Sequence, residues 1–182
     1  MESHGGTTPG PAEAAEAAHA AAMLVVDAGR SADPQVGARL VGLVQEVGLD
    51  TLAELWSHRP ARSLPGALWR LYLVREWVQR SPDSASREYA TGMHVAPVEH
   101  AIAGVPDPPE PGEVREMIDG VLGGAFHRDL DVALDRCAAF CSVAATGRAA
   151  DERSDVGSAA ALATTADDLA ACAVLWRAGQ LV

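Results

Sequence analysis

Between residues 64 and 80 the chain reads LPGALWRLYLVREWVQR. Ala67, Leu68, Trp69, Leu71, Tyr72, Leu73, Val74, Trp77 and Val78 leave almost no side of a helix polar there. A helix without a wet face has to be surrounded by others, so this segment is expected at the centre of a bundle. At 182 residues the chain can supply the partners. A domain of such length buries roughly 70% of its unfolded surface, enough for a core that needs neither disulfides nor metal.

The rest of the sequence supplies helices. Alternating β-branched and aromatic runs, the mark of strands, are absent, and the apolar content is rich in alanine, the best helix former. Pro11 opens an alanine-rich helix to about Asp27. Asp33-Pro34 reads as a cap and first turn for Val36, Leu40, Leu43, Val44 and Val47, closed by Gly48. Asp50 caps a short helix with Leu52, Leu55 and Trp56, and further helices are expected over 82–91 and 97–103. The proline-rich stretch 105–112 is an extended connector. Val114, Met117, Ile118, Val121, Leu122 and Ala125 form one apolar face, and Leu130, Ala133, Leu134, Cys137, Cys141 and Ala144 form another, opened by Asp129 and ended by Thr146-Gly147. A last helix over 158–178 carries Leu162, Thr165, Leu169, Cys172 and Trp176. The expectation is an all-α, compact bundle of about seven to eight helices: a disordered tail over 1–10, then one domain over 11–182, with 147–157 as an exposed linker.

Charge divides the chain unevenly. Residues 56–89 hold five of the eight aromatic residues and six of the fourteen arginines against three acids, in a protein whose net charge is −11. Every basic residue is arginine, which removes the lysine of a phosphate loop and of Schiff-base chemistry. The acidic balance argues against nucleic-acid binding, since phosphate neutralisation needs a broad basic face. Three cysteines suit no disulfide framework. With no basic leader and no run of about 18 apolar residues, the reading is a cytoplasmic protein without a membrane span.

Two residue sets carry candidate chemistry. Trp69, Arg70, Tyr72, Arg75, Trp77 and Arg80 combine aromatic faces with guanidinium forks. They suit either internal pairing with acidic helices or an anion pocket. Cys137, Cys141, Cys172 and His127 would make a three-sulfur, one-nitrogen zinc set, although cysteines in an apolar stripe are ordinary core residues. His94 with Glu99 and His100 matches no metal or hydrolase spacing. Asp129 and Asp131 beside His127 have sufficient work at a helix start.

The stretches SLPGALWRLYLVREWV and GAFHRDLDVALDRCAAFC resemble small all-helical proteins of high-GC actinobacteria, over about residues 50–148. That resemblance implies helical character and no activity. The functional expectation is a regulatory module with no cofactor that binds a protein partner, or its own copy, through residues 56–89, because Trp, Tyr and Arg dominate interface energetics. The alternative is an anion-binding or metal-binding domain, with or without enzymatic activity.

Overall fold

The computed structural model describes residues 10–30, 35, 48–125, 129–151 and 155–182. Eight helices and no strands occur among them: α1 (Pro11–Arg30), α2 (Leu49–Trp56), α3 (Leu64–Arg80), α4 (Pro82–Met93), α5 (Pro97–Ala103), α6 (Pro111–Ala125), α7 (Leu130–Ala150) and α8 (Val156–Arg177). The expected all-α bundle is what the chain forms. The expected helix over 36–47, the tail over 1–9 and His127 lie outside the described residues.

Local chemistry sets several starts. The Ser63 side chain accepts a hydrogen bond from the Gly66 amide at 3.2 Å, and Pro65 sits in the first turn of α3. Asp155 caps α8 by accepting from the Gly157 and Ser158 amides. Asp129 holds the cap position of α7 without a side-chain bond to it.

The centre of the bundle is α7, not α3. Residues 137–141 of α7 are buried in succession, so every side of that turn is covered. The helix packs most extensively on α8, then on α4, α5 and α6. In α3 only the first turn, Leu64 to Leu68, is covered all round; beyond it the buried residues form one stripe, Leu71, Val74 and Val78, while Leu73 is 44% exposed. Beyond that turn the expectation of an encircled α3 fails because Trp, Tyr and Arg carry polar or charged ends that reach water from an apolar stem. Alanines 133, 138, 139, 144 and 145 instead let neighbours crowd α7 from all directions.

The expected exposed linker over 147–157 is corrected over 147–150. Helix α7 continues through Gly147 to Ala150, and Gly147 is buried. It is there for close approach, not termination: a Cβ on Gly147 would lie 1.7 Å from the Glu88 carbonyl oxygen, and one on Gly92 would lie 1.9 Å from that of Val143. Backbones of α4 and α7 therefore touch at a glycine pair.

An aromatic line runs from this crossing outward. Tyr89 of α4 stacks on Phe140 of α7 with centroids 5.2 Å apart. Trp77 of α3 meets Phe140 at 6.0 Å with rings tilted, and the Arg148 guanidinium lies 4.8 Å from the Trp77 ring centre. Trp56 is sealed inside, its indole N–H donating to the Ala18 carbonyl at 3.1 Å and tying α2 to α1.

Candidate functional site

The outer face of α3 divides the six sequence-predicted residues into three groups. Trp69 and Tyr72 stack with centroids 5.6 Å apart, and the Tyr72 hydroxyl donates to Asp50. That bond, with burial second, pushes the phenol up to about 12. Arg75 and Arg80 are tied down along the helix. The Arg75 Nε donates to Asp119 of α6 at 2.7 Å and its Nη1 to Glu76 at 3.1 Å, while Arg80 reaches Glu76 at 3.1 Å. Gln79 joins the same cluster, donating to Asp119 at 2.9 Å and accepting from Arg115 at 3.1 Å.

Arg70 and Trp77 form the third group, and they line a cleft of about 230 Å³ with residues the sequence pattern did not single out. Arg148 enters it from α7, and Ser158 and Thr165 from α8. The exposed Leu73 stands at its rim. Both guanidiniums are held in place by their partners. The Arg70 Nε lies 3.5 Å from Asp168, and its Nη1 donates to the Gly66 carbonyl at 3.2 Å. Arg148 reaches Glu88 at 2.8 Å and donates to the Ser158 hydroxyl at 2.9 Å. Their side chains keep 22% and 14% of their surface. Asp168, itself buried, also receives Arg62 at 3.2 Å. Buried charge is tolerated here because each guanidinium meets a carboxylate in bonding geometry.

A second groove, of about 400 Å³, lies between α5, α7 and α8 and has the opposite character. Its lining includes Glu99, Asp135 and Asp167 over a floor of alanines. Asp135 and Asp131 are both bound by Arg177.

The candidate metal set is dispersed as far as it is described. Cys137 and Cys141 sit side by side in the core of α7; the hydrogen bond between them, then burial, holds the Cys137 thiol well above its ordinary range. Cys172 of α8 donates instead to the Ala61 carbonyl at 3.6 Å. Among the described residues no group of three His, Cys, Asp or Glu is placed to hold a metal ion. His94 is exposed, and the His100 Nδ1 lies 2.9 Å from the Tyr89 hydroxyl. Of the described helices only α8 is long and apolar enough to cross a membrane; it packs along α7 and carries Asp167 and Asp168 at mid-length.

No family model matches the chain, and neither a curated protein nor a solved structure is similar to it.

Proposed function

We propose that the protein is a cytoplasmic, non-enzymatic binding module that captures another protein through the outer face of α3. One observation carries the reading: Trp69, Leu73 and Trp77, at positions i, i+4 and i+8, form an apolar ridge that the bundle leaves partly open. Two half-buried tryptophans flanking an exposed leucine supply large, rigid contact area at little entropic cost. Arg70 and the cleft lie along one flank, and the Arg75–Glu76–Arg80 ion pairs lie along the ridge and at its end. An interface of this kind has an apolar centre and a charged rim.

Leu73→Glu is the clean test, since it changes an exposed helical position and leaves the core intact. The expected result is an unchanged melting temperature with loss of the captured partner in affinity purification, or of the dimer in light scattering if the partner is a second copy. Retention of both by a folded Leu73→Glu protein would show that the ridge is only surface.

A further inference from the structure

The cleft beside the ridge has a chemistry of its own. Its lining holds two arginines and no carboxylate, in a chain where acids outnumber bases by eleven. Three guanidiniums, Arg62, Arg70 and Arg148, share two carboxylates, Asp168 and Glu88. Arg62 does not line the cleft; each arginine that does is met by one carboxylate, which itself stands outside the lining. Both cleft arginines are already ordered: Arg70 by Asp168 and the Gly66 carbonyl, Arg148 by Glu88, Ser158 and the face of Trp77. An incoming anion would not have to immobilise long side chains, which is a main cost of binding by arginine. The Ser158 hydroxyl, which lines the same space, accepts from Arg148 and has a proton of its own to donate.

Size narrows the ligand. A volume of about 230 Å³ falls below the roughly 300 Å³ at which pockets for drug-sized ligands begin. A single side chain fits this measure better than a nucleotide does. Apolar contact is available immediately outside, from Leu73 and Trp69.

We infer that the cleft receives a carboxylate side chain from an acidic segment of the partner protein, gripped between Arg70 and Arg148 while flanking apolar residues of that segment lie on the Trp69–Leu73–Trp77 ridge. The inference rests on the reading of that ridge as an interface and adds the chemistry of what it binds. Charge complementarity selects the occupant: an acidic segment meets two guanidiniums in a lining without carboxylates, whereas a basic one would face them with like charge in a confined space.

A random dodecapeptide library displayed on phage and selected against the intact protein tests this. Selected peptides should pair Asp or Glu with a neighbouring aliphatic or aromatic residue. In fluorescence anisotropy, exchanging that acid for its amide should weaken binding at least about tenfold, the scale of a lost charge-assisted bond. Arg70→Gln and Ala161→Glu should each do the same. Ala161 lines the cleft from an exposed position on α8, so Ala161→Glu places a competing carboxylate there without removing any group of the Asp168 cluster, and it stays decisive if Arg70→Gln unfolds.

Peptides without acid bias that bind through Leu73 but ignore Ala161→Glu would overturn the inference and leave the ridge standing. Peptides indifferent to both Leu73→Glu and Ala161→Glu, or no enrichment at all, would overturn both. Displacement of the peptides by millimolar free glutarate would reassign the cleft to a small carboxylate.

Discussion

Replacing Gly147 with alanine tests the α4–α7 crossing on which the whole arrangement hangs. The added methyl carbon would lie 1.7 Å from the Glu88 carbonyl oxygen, 2.7 Å from its carbon and 2.9 Å from the Gly92 nitrogen, where ordinary contact begins at 3.4 Å. All three neighbours are backbone, so no rotamer change relieves the clash. The helices must part by something on the order of 1.5 Å, which loosens the Tyr89–Phe140 stack and the Arg148–Glu88 pair alongside. Overpacking of a core costs about 1–3 kcal/mol when side chains can adjust, and more when they cannot. Alanine returns about 1 kcal/mol through its helix propensity. A net loss of roughly 3 kcal/mol is expected, or about 6–12 °C in Tm for a chain of this size.

Gly120 of α6 is the internal control. It is exposed, and nothing lies within 4 Å of where its Cβ would be. Gly120→Ala should therefore stabilise by about 0.5–1 kcal/mol, the propensity difference alone. Urea and thermal unfolding followed by circular dichroism would measure both variants. A Gly147→Ala protein within about 1 kcal/mol of wild type, or one behaving like Gly120→Ala, would refute the close crossing.

Two further outcomes follow from the buried groups. Asp168→Asn removes the carboxylate shared by Arg62 and Arg70; with Arg62 well exposed, a loss of about 1–3 kcal/mol is expected in urea unfolding, whereas Asp167→Asn on the exposed side should change nothing measurable. The three cysteines are buried, so an aromatic disulfide reagent should find no fast-reacting thiol in the native protein and three in denaturant. Burial, and after it the charge of Asp168, pushes the Cys172 thiol from 9.0 up to about 11. A thiol that ionises later in the folded state lends stability below pH 9 that drains away as pH rises toward 11. Cys172→Ala should flatten that alkaline fall, and an unchanged pH profile would contradict it.

Helix positions were legible because turn chemistry and apolar spacing agree along most of the chain. Pro82, Pro97 and Pro111 each open a helix, and the α6 stripe from Val114 to Ala125 is the buried face. Which helix lies innermost was not legible. Large side chains such as Trp69 and Trp77 weigh heavily in a pattern, yet their size says nothing about how close two backbones come. That distance is set by Gly92 and Gly147, whose contribution is the absence of atoms. Reading Gly147 as a helix stop also concealed Arg148, which the continued helix carries into the cleft one residue later. Of the residues that line the cleft, Arg70 and Trp77 were visible from the α3 sequence alone. Their neighbours Ser158 and Thr165 come from a distant helix with no local signal for a shared site.

The run of rings from Tyr89 through Phe140 to Trp77, topped by Arg148, joins the deepest layer of the molecule to its surface cleft. Anything that tilts the Trp77 indole from outside must also disturb the packing of Phe140. The shape of the cleft and the packing of the core thus depend on the same indole. The exposed Leu73 and Ala161 line the same cleft, and exchanging either reshapes it without touching that stack.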